Sequence, residues 1–102
     1  MYILNVTINI EDSIHQSGII WVKEAFIPKM KATQQFVEVL MSKVLVREET
    51  GGKTYSIQFK APNKAALKAY YQNHDAQIFR GFRQFGDKIV FFRTEMEVLN
   101  HE

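Results

Sequence analysis

Apolar and polar positions alternate along this chain with two distinct periods, and the order in which those periods change predicts a fold. Tyr2, Leu4, Val6, Ile8 and Ile10 alternate with Ile3, Asn5, Thr7 and Asn9. That period of two places an apolar set on one face of a strand and a mostly polar set on the other. Glu11-Asp12-Ser13 then offers a polar cap, with acidic residues at the positive end of a helix dipole. At about 100° per residue, Ile14, Gly18, Trp21, Val22, Ala25 and Phe26 gather on one side of the helix that follows, with Ile20 and Ile27 on the opposite side. Pro28 is expected to end or kink this helix near Phe26 or Ile27, because proline cannot donate to the helical ladder and disfavours helical geometry just before it.

The stretch from Phe36 to Arg47 is rich in valine and leucine and holds neither glycine nor proline. It predicts a long second strand, although Val37-Glu38-Val39-Leu40-Met41 also suits a helical turn. Thr50-Gly51-Gly52-Lys53 reads as a hairpin connection, since adjacent glycines supply the positive backbone angles of tight turns. Tyr55, Ile57 and Phe59 alternate with Ser56, Gln58 and Lys60 in a third strand, and Pro62-Asn63 stops it and caps a second helix. Leu67, Tyr70 and Tyr71 share a face of that helix, Asn73-His74-Asp75 interrupts it, and Ile78, Phe79, Phe82 and Phe85 continue the stripe until Gly86-Asp87 turns the chain. The last strand spans Ile89 to Leu99, with Val90, Phe92, Thr94, Met96 and Val98 expected beneath the helices and Phe91, Arg93, Glu95 and Glu97 on the reverse.

Strand, helix, strand, strand, helix, strand, with right-handed crossovers, predicts one α+β domain over residues 1–102: a ferredoxin-like βαββαβ unit whose four-stranded antiparallel sheet carries both helices on one face. The reverse face is expected to collect Asn5, Thr7, Asn9, Ser56, Gln58, Lys60, Arg93 and Glu95, interspersed with Ile3 and Phe91. Such a face either meets water or, in a homodimer, opposes its own copy and encloses a polar cavity. Arg93 and Glu95, two apart and hence on one side, form with Asn5, Thr7 and Gln58 the candidate site for a small molecule. Trp21 is the aromatic side chain that could border it, although a tryptophan on an inner helix face ordinarily packs the core.

Composition narrows the function classes. The 102 residues are 46% hydrophobic and 13% aromatic, enough for one ordinary core. Lysine and arginine number 13 against 11 acidic residues and alternate with them in sign, so no basic footprint for nucleic acid is expected. Arg80-Gly81-Phe82-Arg83-Gln84-Phe85 superficially matches the aromatic motif of RNA-recognition modules, yet its aromatics follow a helical stripe instead of a strand. The absence of cysteine removes disulfide and thiolate chemistry and fits a cytoplasmic protein. The start Met1-Tyr2-Ile3-Leu4-Asn5 lacks the basic and apolar regions of a signal peptide, and no apolar run approaches the roughly 18 residues of a membrane span. The expectation is a soluble, cytoplasmic protein without a membrane or nucleic-acid partner. His15, His74 and His101 are scattered, with no second ligand at zinc spacing, and no nucleophile elbow or phosphate loop is present. No catalytic, metal-ligating or cofactor-binding residue is therefore singled out.

The opening Tyr2-Ile3-Leu4-Asn5-Val6-Thr7-Ile8-Asn9-Ile10, the Trp21 helix closing on Phe26-Ile27-Pro28, the Gly51-Gly52-Lys53-Thr54-Tyr55 hairpin and Phe85-Gly86-Asp87-Lys88 before the last strand together resemble a family of small bacterial proteins known as domain of unknown function 4286. The resemblance covers nearly the whole chain. It implies a ferredoxin-like fold related to the dimeric α+β barrel group, which also contains cofactor-independent monooxygenases and haem-degrading enzymes, and it implies no assigned activity. The expected function is that of a small homodimer binding a small molecule at its polar sheet face. The alternative is an enzyme of the barrel group, a cofactor-independent monooxygenase or a haem-degrading enzyme. Against the haem branch, no histidine falls on a predicted strand or helix stripe.

Overall fold

β1 (Tyr2–Glu11) runs through the interior of a four-stranded antiparallel sheet, pairing on one side with β3 (Gly52–Ala61) and on the other with β4 (Ile89–Glu97). β2 (Glu38–Lys43) adds outside β3, giving the order β2-β3-β1-β4. The computed structural model describes residues 1–47 and 50–101. Between β1 and β2 the chain passes through a 3₁₀ turn, Asp12–Ile14, then α1 (His15–Trp21), a π turn (Val22–Phe26) and α2 (Ile27–Ala32). Between β3 and β4 it forms α3 (Lys64–Asn73), α4 (Asp75–Phe79) and a 3₁₀ segment, Arg80–Lys88. This is the expected ferredoxin-like arrangement.

The core lies between the sheet and the helical layer. Leu4, Val6, Ile8 and Ile10 of β1, Ile57, Phe59 and Ala61 of β3, and Val22, Phe26, Met30 and Tyr70 of the helices are all fully buried. Burying each large side chain contributes about 1.5–3 kcal/mol. α1 sits directly on β1: a Cβ at Gly18 would lie 2.9 Å from Ile10 Cγ2, so only glycine permits this approach without displacement. Asn63 caps α3 as expected, its Oδ1 accepting from the Ala66 amide at 2.8 Å. Gly86, at φ +58°, reverses the chain into β4.

Three details depart from expectation. The first helix is interrupted close to Pro28 as expected, but it continues beyond the proline instead of ending. The π turn over Val22–Phe26 re-routes the backbone hydrogen bonds, so that Pro28 falls in the first turn of α2, where a missing N–H costs nothing. The extra residue also turns the following segment by about 100°, and Ile27, expected on the outer side, packs partly against the core while Ile20 stays exposed. β2 is shorter than predicted. The Val44 amide still donates to the Thr54 carbonyl, but Leu45 is 88% exposed, and the valines and leucines after Lys43 find no helix to pack on.

The third departure exchanges the faces of β4. Ile89, Phe91, Arg93 and Glu95 stand opposite Ile10, Ile8, Val6 and Leu4, and so lie on the helix side. Val90, Phe92, Thr94 and Met96 stand opposite Asn9, Thr7, Asn5 and Ile3, on the open side. Only Ile89 at the start of the strand is buried. β4 is an edge strand at the margin of the helical layer, so both of its faces see solvent, and an apolar alternation along it does not mark the core.

Candidate functional site

On the open face the register aligns side chains into rows across the strands. Glu38, Lys60, Ile3 and Met96 form one row, Leu40, Gln58, Asn5 and Thr94 the next, and Ser42, Ser56, Thr7 and Phe92 a third, followed by Thr54, Asn9 and Val90. The two middle strands supply a hydrogen-bonded polar strip. Ser56 Oγ donates to Asn5 Oδ1 at 2.6 Å, Asn5 Nδ2 to Thr7 Oγ1 at 3.1 Å, and Asn9 Nδ2 to Thr54 Oγ1 at 3.0 Å. Lys60 pairs with Glu38 at 3.0 Å. The edges carry exposed apolar side chains: Leu40, 55% exposed, stands between Glu38 and Ser42 on β2, and Val90, Phe92 and Met96 are exposed on β4, Phe92 by 64%. A depression of about 100 Å³ lined by Ile3, Glu38, Leu40, Gln58 and Lys60 lies there, well below the roughly 300 Å³ at which small-molecule pockets begin.

Of the predicted site residues, Asn5, Thr7 and Gln58 therefore come together on the open face, whereas Arg93 and Glu95 lie on the other side of the sheet. The expected constellation of all five on one face is corrected by the register of β4. Sequence reasoning placed the more apolar alternate set beneath the helices, where an edge strand gave that set nothing to cover. A usable signal was Phe91, which belongs with the aromatic stripe of the second crossover: its ring lies 5.2 Å from Phe79 and 4.7 Å from Phe82.

On the helix side, Arg93 lies against a partner that sequence reasoning missed. Asp75 Oδ1 accepts from Arg93 Nη1 at 2.6 Å and from the Tyr70 hydroxyl at 2.7 Å, and the Arg93 guanidinium lies 4.4 Å above the Phe79 ring. The Tyr70 oxygen is also 3.3 Å from Met30 Sδ. Burial, then the hydrogen bond and charge of Asp75, push the Tyr70 hydroxyl up, with Arg93 opposing. Glu95 stands beside Tyr71, whose hydroxyl is pushed up to about 12 by burial and by the charge and hydrogen bond of Glu95. A groove of about 490 Å³ runs past Glu95, Tyr71, Leu67, Lys64 and Lys68.

Trp21 is far from both sets in role. It packs edge-on against Phe82 at 4.9 Å and Phe85 at 5.1 Å, stacks near Phe26 at 5.8 Å, and leaves room only for glycine at position 81, where a Cβ would lie 2.9 Å from its Cζ2. His15 shares a 2.6 Å hydrogen bond with the Tyr55 hydroxyl, and His74 stacks on Tyr70. Among the described residues no three His, Asp or Glu side chains converge as a metal site, and no helix is long and apolar enough to cross a membrane.

Solved structures share this fold. A dimeric ferredoxin-like protein from an uncultured marine organism superposes with a TM-score of 0.76 at 13% identity, covering 99% of this chain and 97% of that one. HapK from Hahella chejuensis gives 0.68 at 14% identity, covering 100% and 96%. A putative antibiotic biosynthesis monooxygenase from Deinococcus radiodurans gives 0.69 at 15%, again covering 100% and 96%. At such identities the likeness extends to the fold alone. No curated protein matches the chain. The family model described as Domain of unknown function (DUF4286) matches residues 1–99, nearly the full length, and the chain belongs to that family.

Proposed function

We propose that the protein works as a homodimer in which two open sheet faces oppose one another, and that the space between them holds a small polar molecule. The observation that carries this reading is the set of exposed apolar side chains on the two edge strands, Leu40 on one and Val90, Phe92 and Met96 on the other, on a face whose polar middle is largely hydrogen-bonded internally. Exposed apolar side chains beside a largely satisfied polar strip suit a twofold interface, because a strip with its own hydrogen bonds made loses little on leaving water. Asn5, Thr7 and Gln58 would line the enclosed space, with Gln58 presenting an amide to an occupant. Neighbours of the same fold from marine organisms and from Thermobifida fusca are described as dimeric, which supports self-association.

The test is sedimentation of the protein and of Phe92→Asp across a concentration series. Phe92, 64% exposed, offers roughly 130 Å² for burial, worth about 3 kcal/mol per copy. Counted twice by symmetry, its loss weakens association by several orders of magnitude. The wild type is expected to sediment as a dimer at micromolar concentration and the variant as a folded monomer. A strictly monomeric wild type, or a variant that dimerises equally well, rejects the assembly.

A further inference from the structure

On the helix side of β4, the face that a sheet-to-sheet dimer leaves uncovered, three arginines surround an aromatic hollow of about 450 Å³. Its floor is Phe79, Phe82, Ile89 and Phe91, and Phe91 is 38% exposed although its ring packs on both of the other phenylalanines. Arg93, Arg80 and Arg83 stand at the margin. Asp75 neutralises Arg93. Arg80 and Arg83 are exposed and form no ion pair among the described residues.

The backbone brings these two unpaired charges together. Arg80 and Arg83 are three residues apart in the 3₁₀ segment Arg80–Lys88, and in a 3₁₀ helix residues at i and i+3 eclipse one another. Stacked like charges destabilise a helix, and the exposed part of Phe91 in the same hollow leaves apolar surface in water. Both costs vanish if an anion with a flat apolar body occupies the hollow. Guanidinium forks match the plane of a carboxylate, and Phe91 offers a ring for offset stacking. The volume lies within the ordinary range for small ligands.

We propose that this hollow is a binding site for a planar aromatic carboxylate, its ring over Phe91 and its carboxylate between Arg80 and Arg83. Arg93, fixed by Asp75 and stacked on Phe79, forms the far wall and positions the ring. Two unpaired cations suit a single anionic group and not the length of a nucleic-acid backbone, in keeping with the near balance of 13 basic and 11 acidic residues. The site does not depend on the dimer.

The experiment is an amide-resolved NMR titration of the full chain with 2-naphthoate, run beside its uncharged alcohol analogue, the non-aromatic cyclohexanecarboxylate and a short single-stranded RNA. The expected result is saturable movement of the Gly81, Gly86 and Phe91 amides with naphthoate, and binding of the alcohol and of cyclohexanecarboxylate weaker by about tenfold or more. Arg80→Ala and Arg83→Ala, which remove exposed side chains, should keep the wild-type spectrum and each weaken naphthoate by about tenfold. Shifts that never saturate, shifts centred on another surface, equal binding of the alcohol, or tighter binding of the RNA than of naphthoate would overturn the assignment.

Discussion

Asp75→Ala removes the single acceptor that Tyr70 and Arg93 share, and its effect should exceed that of Tyr70→Phe although both break the same hydrogen bond. Tyr70 is fully buried, so without Asp75 its hydroxyl lacks a strong acceptor. An unsatisfied buried hydroxyl costs about 1–3 kcal/mol, and Met30 Sδ at 3.3 Å offers only a weak substitute. The Asp75–Arg93 pair is partly open to solvent, with side chains 16% and 34% exposed, which limits it to about 0.5–1 kcal/mol. Asp75→Ala should therefore cost about 2–3 kcal/mol. Tyr70→Phe keeps the ring packed on Phe36 and leaves Asp75 bound to Arg93, so about 1 kcal/mol is expected. In the double variant no orphaned hydroxyl remains, and the two effects should fall short of additivity by about 1 kcal/mol. Urea unfolding followed by circular dichroism, at one fixed protein concentration so that association does not intrude, measures all three. Additive effects, or a larger loss from Tyr70→Phe than from Asp75→Ala, would refute the reasoning.

Alkaline pH should destabilise the fold. Both Tyr70 and Tyr71 have hydroxyls raised above the ordinary value of 10.0, Tyr71 to about 12. A raised phenol favours the folded state fully below the unfolded value, and that contribution is lost as pH rises from 10.0 through about 12. Urea midpoints should thus fall over that range, and Tyr71→Phe should flatten the fall; an unchanged slope would contradict the assigned cause. Asn63→Ala should cost about 1 kcal/mol by uncapping α3, read from the same unfolding curves, with no loss counting against the cap. Gly86→Ala should cost about 1 kcal/mol because an L side chain is strained at φ +58°, although the space around it is open; a neutral effect would show that the turn relaxes.

Much of the fold was legible because period and burial agree where an element is covered on one side and wet on the other. β1 and β3 are such strands, and their alternation reads correctly residue by residue. The failures occur where that condition lapses. Beyond Ile89, β4 is exposed on both faces, so the alternation of its apolar residues does not mark the side that faces the core. Leu45 and Val46 have strand-forming side chains without a layer to cover them. Pro28 interrupts the α-helical hydrogen bonds as expected, but a local widening to a π turn absorbs the break, and no residue type in Val22–Phe26 announces that widening. Half of the candidate site, Asn5, Thr7 and Gln58, was visible from alternation. The link from Arg93 to Asp75 and Tyr70 was not, because it joins an edge strand to a helix break 18 residues earlier in the chain.

The central claim is that the open sheet face, bordered by Phe92 and Leu40, meets its own copy. Isotope-filtered nuclear Overhauser spectroscopy on an equal mixture of labelled and unlabelled protein reads that contact directly. Cross-peaks between protomers should connect the Phe92 ring with Leu40, Val90 and Met96 of the open face. Cross-peaks between protomers that arise instead from the helix side, at Ile20, Lys68 or Phe91, or none at all, would contradict it.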